Sequence, residues 1–299
     1  MSNEYIKISD LRKVKGMGSK TIERIEETLL NNEDSKNYIS KYNEKLHLQS
    51  NDIYLGDCLE LMNGIKDKSI DMILCDLPYG TTACKWDEII SFDKLWRQYN
   101  RIVKDNGAIV LFNDDKFGVQ LKSSNFKMYK YDWIWKKSRP TNFMLANKMP
   151  MKYHEMISVF YKKPPIYNKQ PTKREGGGEN RYKYIVDNSN RTIQGTSRIF
   201  SDIKKYNMGN KNPSTILNIT EGRPQDYVHP TQKPVALLEY LIKTYTNEGE
   251  LVLDNCIGSG STAVACLNTN RQFIGIEKEV EYYEIAKERI NKHMTGNNL

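Results

Sequence analysis

Cysteine is scarce and unpatterned in this 299-residue chain: Cys58, Cys75, Cys84, Cys256 and Cys266 are the five. None stands at the spacing of a zinc-binding pair, which argues against a structural zinc site and against a disulfide framework. No run approaches the ~20 apolar residues of a membrane span, and the first residues lack the apolar core of a signal peptide. The chain is therefore expected in the cytoplasm and away from membranes. No internal repeat is evident. With 38% hydrophobic and 27% charged residues the composition fits a globular protein and excludes a fully disordered one. The length suits one large domain or two modest ones.

Acid is also scarce, but only locally. Residues 120–228 hold 21 Lys+Arg against 8 Asp+Glu, whereas the rest of the chain holds 24 basic and 29 acidic residues. A formal net charge of +8 is thus concentrated in one middle third of an otherwise acidic protein. That asymmetry points to a surface for a polyanion, with a solvated lysine-rich face as the plainer alternative.

Short apolar runs alternate with helical patterns from Ile53 onward. Ile53–Leu55, Ile70–Cys75, Ala108–Phe112, Trp133–Trp135, Met156–Tyr161, Leu251–Leu253 and Phe273–Ile276 read as strands. Leu59–Ile65, Phe92–Val103, Val235–Tyr245, Ala263–Asn268 and Val280–His293 read as helices. Such alternation predicts an α/β fold with a doubly wound sheet of buried strands. Residues 1–30 predict two short helices around a Lys15-Gly16-Met17-Gly18-Ser19 turn, and 31–45 a polar linker. The pattern fails over 162–228, which carries Pro164-Pro165 and Gly176-Gly177-Gly178 and reads as an irregular insertion. The expected organisation is 1–45 (helical hairpin and linker), 46–161, the insertion 162–228, and 229–299.

Two strand ends carry the chemistry. In 251–277 a buried strand ends at Asp254, a loop Asn255-Cys256-Ile257-Gly258-Ser259-Gly260-Ser261-Thr262 opens a helix, and the next strand ends at Glu277. Glycines there let the backbone approach a ligand, and Glu277 can accept from ribose hydroxyls. This is a nucleoside-binding βαβ unit. Its Gly258-x-Gly260-x-x-Ala263 spacing also satisfies the dinucleotide fingerprint, so the segment alone leaves a nicotinamide cofactor and S-adenosylmethionine open. Asp254 leans toward the second, since a carboxylate suits a cationic amino group better than a pyrophosphate. The other end is Asp76-Leu77-Pro78-Tyr79, directly after a strongly apolar strand and so at a carboxyl edge of the sheet.

Asp76-Leu77-Pro78-Tyr79 resembles the Asp-Pro-Pro-Tyr motif of amino-group DNA methyltransferases, mostly the adenine-N6 enzymes. Asp254–Thr262 is similar to their S-adenosylmethionine loop, and His229-Pro230-Thr231-Gln232-Lys233-Pro234 to the segment preceding it. Catalytic motif, basic region, then cofactor loop is the order of the beta class. The resemblance implies a Rossmann-like methyltransferase fold with 162–228 as target-recognition insertion. It implies S-adenosylmethionine as cofactor and methyl transfer to adenine N6 in double-stranded DNA. Cytosine N4 is the alternative, and an RNA methyltransferase or a catalytically silent DNA-binding protein are more distant ones. Asp76 and the Leu77 or Pro78 carbonyl would accept from the target amine, and Tyr79 would stack on a base turned out of the duplex. Leu77 departs from the commoner proline, which a carbonyl role tolerates.

By the same resemblance Asp57, next to Cys58, would contact the cofactor adenine, with a helix N-cap as its simpler role. Thr231 and Lys233 would lie near the cofactor's methionine part. His154-Glu155 has no assigned task beyond a structural pair. Arg174, Arg181, Arg191, Arg198 and Arg223 are the candidates for base reading, because guanidinium suits bidentate pairing. The N-terminal unit resembles a helix–hairpin–helix DNA-binding motif, with Gly16, Gly18 and Lys20 at the phosphate. A homodimer and a separate restriction endonuclease chain are the further partners the resemblance allows.

Overall fold

A computed structural model describes residues 47–81, 87–141, 143–173, 210–220 and 232–296. The N-terminal hairpin with Gly16, Gly18 and Lys20, the five candidate arginines and Thr231 lie outside the described residues.

The runs read as strands are strands, and several are longer than their apolar cores. In chain order they are β1 (Asp52–Leu55), β2 (Ile70–Asp76), β3 (Val103–Asn113), β4 (Tyr129–Thr141), β5 (Lys152–Phe160), the short β6 (Thr172–Lys173), β7 (Asn210–Lys211) and β8 (Ile216–Leu217), then β9 (Leu251–Asp254) and β10 (Gln272–Glu277). The helices are α1 (Cys58–Leu61), α2 (Phe92–Ile102), α3 (Asp115–Ser124), α4 (Val235–Tyr245), α5 (Ser261–Asn268) and α6 (Val280–Met294). Where one helix was expected over Leu59–Ile65, α1 gives one turn and tightens into a 3₁₀ turn at Met62–Gly64. Helix α3 was not foreseen. Its apolar spacing is thin, with Phe117, Gly118 and Leu121 as the buried residues.

Eight strands form one sheet in the order β1-β10-β9-β2-β3-β5-β4-β8. Pairing is parallel from β1 to β3, and β5 runs against both its neighbours β3 and β4. The strand β8 falls inside the stretch read as an irregular insertion, yet it pairs in parallel with β4. Asn168 also ties back, its amide donating to the Lys243 and Thr246 carbonyls at the end of α4.

Period-two burial explains the layers. Met72 and Leu74 of β2 face a core with Leu241, Ala263 and Ala286 from α4, α5 and α6. Ile73 and Cys75 face the opposite core with Trp96, Tyr99 and Phe117 from α2 and α3. Helices thus cover both faces, as a doubly wound α/β fold requires. From β9 the chain crosses to β10 on one side, while β2 leads to β3 on the other. The carboxyl ends of β9 and β2 therefore border the crevice where the strand order reverses, the place such sheets bind ligands. Among the described residues, no helix is long and apolar enough to cross a membrane.

Candidate active site

Asp76 ends β2 and Asp254 ends β9, and β2 and β9 are adjacent. A cavity of about 1040 Å³ extends across both strand ends, lined among others by Asp57, Asp76, Tyr79, Lys233, Asp254 and Glu277. The two motifs, far apart in the chain, share this one cavity.

At the catalytic end both Asp76 oxygens are engaged. The Tyr79 hydroxyl donates to Oδ1 at 2.7 Å, and Lys233 Nζ donates to Oδ2 at 2.5 Å. Lys233 also stands 3.4 Å from Glu155 Oε2, and Lys137 donates to Glu155 Oε1 at 2.6 Å. The four side chains form a row of alternating charge. Burial alone would raise the Glu155 carboxyl, but Lys233 and Lys137 outweigh it and hold it below the ordinary range. Burial would lower the Lys233 ammonium, and Asp76 and Glu155 reverse that and push it up. The Tyr79 hydroxyl is pushed well up by burial and then by the Asp76 charge. The Tyr79 ring stacks on Phe117 with centroids 4.7 Å apart, so one of its faces is already covered. Leu77 is buried and packs in the α2–α3 core, which accounts for an apolar residue there. The loop beyond is held by the Asp87 carboxylate, which accepts from the Gly80 and Thr81 amides at 2.8 Å each.

The cofactor end is built differently. Asp254 is buried and accepts from the Thr262 hydroxyl at 2.6 Å and the Cys256 amide at 3.1 Å. Burial pushes its carboxyl up to about 6 against those two hydrogen bonds. Glu277 accepts from the Gly258 amide at 2.8 Å and from the Lys278 and Glu279 amides at 2.9 Å each, while burial raises its carboxyl too. The Asn255 carbonyl accepts from the buried Tyr99 hydroxyl at 2.5 Å, so this amide anchors the loop to α2. Its NH₂ lies against the Cys58 and Cys256 sulfurs. Ser261 accepts from Arg289 at 2.9 Å. Gly258 and Gly260 both have left-handed backbone (φ 53° and 80°). A Cβ on Gly258 would meet open space, whereas on Gly260 it would come within 3.2 Å of Ala286. Gly258 leaves room on the loop, and Gly260 lets α6 pack against it. Ile257 is buried behind the loop. Asp57 caps α1, accepting from the Leu59 amide at 2.8 Å.

The structure brings together Asp57, Cys58, Asp76–Tyr79, Lys233, Asp254–Gly258, Ser261, Thr262 and Glu277 around the cavity. It places the Lys233 ammonium on Asp76 and Glu155. Sequence reasoning missed Glu155 and Lys137 as site residues. The available signal was an acid directly before the mostly apolar run Met156–Tyr161.

A mostly parallel α/β sheet with a ligand crevice at its strand-order reversal, a glycine loop between two acids, and a third acid followed by Leu-Pro-Tyr define a nucleoside-cofactor group-transfer enzyme. The DNA methylase family N6_N4_Mtase matches residues 70–288, and the chain belongs to that family. The type II methyltransferase M.BglII of Bacillus subtilis is 28% identical over 291 residues, covering 89% of this chain and 76% of that protein. M2.MboI of Moraxella bovis is 28% identical over 270 residues, covering 80% of this chain and 87% of the relative. Among solved structures, the M1.HpyAVI–SAM complex superposes with TM-score 0.54 at 25% identity, covering 79% of this chain and 98% of that one. The cytosine-N4-specific PvuII DNA methyltransferase shares the fold, with TM-score 0.57 at 16% identity over 84% of this chain and 94% of that one.

Proposed function

We propose that this DNA methylase transfers a methyl group from S-adenosylmethionine to the N6 amine of adenine in double-stranded DNA, as a beta-class enzyme. The carrying observation is Asp76 at the end of β2, its two oxygens oriented by Tyr79 and Lys233 and facing the same cavity as the Asp254–Thr262 loop.

The residues of the cofactor end fit that cofactor. Asp57, Asp254 and Glu277 surround the cavity with carboxylates. Two of them are buried and raised, and so are suited to a ligand that brings cationic and hydroxyl donors. Glu277 would hold the ribose, Asp57 and Cys58 the adenine side, and Asp254 with Thr231 the methionine part. When bound, S-adenosylmethionine supplies a methyl group activated by its sulfonium. The target amine is a poor nucleophile because its lone pair is conjugated into the ring. Asp76 accepts one of its N–H bonds and the Leu77 or Pro78 carbonyl accepts the other. This frees the lone pair and stabilises the positive charge that develops on nitrogen. Lys233 and Tyr79 fix the carboxylate's rotation, so no reorganisation is needed at the moment of reaction. Tyr79 offers its uncovered face to the base.

Residues 162–228, with Arg174, Arg181, Arg191, Arg198 and Arg223, are assigned to target recognition. The N-terminal Gly16, Gly18 and Lys20 are assigned to a phosphate. Both assignments rest on charge and motif. The bacterial relatives support action in the cytoplasm.

The test is incubation with labelled S-adenosylmethionine and duplex DNA, followed by digestion to nucleosides. Label is expected in N6-methyladenine. Label only in N4-methylcytosine would overturn the adenine assignment. Asp76→Ala is expected to lower turnover by at least ~10³-fold while cofactor affinity stays within about twofold.

A further inference from the structure

One feature outside the two motifs sits at the rim of the same cavity. Strands β4 and β5 form a long antiparallel hairpin, and its stem residues Lys137, Arg139, Thr141 and His154 line the cavity that holds Asp76. At the tip, Phe143 is 72% exposed and Met144 84%. Leu145, Met149, Met151 and Tyr153 are exposed around them. Large apolar side chains gathered in water are costly unless they have an occupant.

The described residues of this tip have local structure. Phe143–Leu145 forms a 3₁₀ turn, and the Lys148 and Met149 amides donate to the Leu145 carbonyl at 2.8 and 3.0 Å. The collar around it is cationic. Residues 136–153 contain Lys136, Lys137, Arg139, Lys148 and Lys152, and no acidic residue. Lys137 pairs with Glu155, and Lys152 with Asp114 and Asp115. The exposed Lys136, Arg139 and Lys148 have no ion pair among the described residues.

We infer that the β4–β5 tip is a wedge that enters the DNA base stack beside the target nucleotide, with Phe143 and Met144 in the stack and Lys136, Arg139 and Lys148 on the flanking phosphates. This inference rests on the methyl-transfer reading above. An apolar tip inside a cationic collar matches a polymer that is anionic outside and aromatic inside. A base must leave the duplex to reach Asp76, and that costs unstacking. Apolar side chains placed between base steps offset such a cost in other DNA-deforming proteins. The hairpin supplies them where its own stem meets the catalytic cavity.

The experiment compares the full chain with Phe143→Ser/Met144→Ser on two duplexes, one with the target base correctly paired and one with it opposite an abasic site. The second substrate has little pairing left to break. The double variant is expected to lose about tenfold or more in kcat/KM on the paired duplex and less than about threefold on the abasic one. A 2-aminopurine at the target position should brighten on binding wild type to the paired duplex and stay dim with the variant. Phe143→Trp, which keeps a flat apolar group, should retain activity on both. Unchanged activity of the double variant on the paired duplex overturns the wedge. So does an equal loss on both duplexes, including one accompanied by dissociation of a dimer in sedimentation, which would make the patch a contact between two copies. Failure of wild type to methylate either duplex overturns the methyl-transfer reading itself, and the wedge with it.

Discussion

Asp76 and Asp254 end neighbouring parallel strands a few residues apart in register, yet their surroundings are opposite. Asp76 shares a buried ammonium with Glu155, and a second lysine closes the row. Asp254 and Glu277 receive hydroxyl, amide and thiol hydrogens and, among the described residues, no ion pair, and burial raises both. Asp76 and Glu155 therefore carry their compensating charge within the chain, and on the proposed reading a ligand would supply it to Asp254 and Glu277. On that reading one sheet edge would present a fixed acceptor on one side and a receptor for cations on the other, so that two sets of carboxylates do different work in one cavity.

Removing the internal cation should have the largest effect. Lys233→Gln leaves Asp76 and Glu155 without the charge between them, a kind of loss that costs roughly 3–5 kcal/mol when buried. The expected outcome is a drop of that order in chemical denaturation and turnover reduced ~10²-fold or more. The double variant Lys233→Met/Glu155→Gln should regain stability without regaining turnover. If Lys233→Gln costs less than about 1 kcal/mol, the catalytic end is not charge-clamped and the contrast fails.

The cofactor end should respond to pH. With its carboxyl raised from 3.8 to about 6, Asp254 gives the free protein stability that is present below its ordinary range and lost as pH rises through about 6. Its charged form, which a cationic ligand needs, is lost in the other direction. Cofactor affinity is expected to weaken toward tenfold per unit as pH falls below about 6, while wild type gains stability over the same interval relative to Asp254→Asn, by at most about 3 kcal/mol. Titration calorimetry and denaturation across pH 4.5–7.5 (a span of about three units) check both. Flat profiles for both quantities would show that Asp254 is not the receptor for a cation.

Much of this contrast was legible before the structure, for a physical reason. Strands buried on both faces read as nearly continuous apolar runs, so Ile70–Cys75 and Leu251–Leu253 announced themselves, and the acids that end them fell at strand tips. Helix α4 could be bounded as Val235–Tyr245 because its apolar spacing is dense. Helix α3 lacks that density and was missed, and with it Phe117 as the partner of Tyr79. The lysine clamp was hidden for a different reason. Lys233 and Asp76 lie 157 residues apart, and β5 with its Glu155 reaches them only through an antiparallel pairing against β3 that no local period encodes. The family resemblance pointed Lys233 toward the cofactor's methionine part, and gave no sign that its ammonium also meets Asp76. The hairpin tip escaped because exposed apolar residues in a loop carry no period at all.

Asp57 offers the smallest effect and the sharpest division between structure and binding. Its carboxylate accepts from the Leu59 amide and so caps α1, at the rim of the cofactor end. Losing such a cap costs about 1 kcal/mol. Asp57→Ser keeps a capping oxygen but removes the carboxylate, and Asp57→Ala removes both. If Asp57 acts only as a cap, the serine variant should match wild type in stability and in cofactor affinity, and only alanine should lower the melting temperature. If it also meets the cofactor's adenine, serine should preserve stability yet weaken S-adenosylmethionine binding several-fold, with alanine doing both. The second pattern is expected, because a cap alone does not require a carboxylate where serine or asparagine serve as well. Equal cofactor affinity for all three proteins would confine Asp57 to holding α1 and leave Asp254 and Glu277 as the acids of the cofactor end.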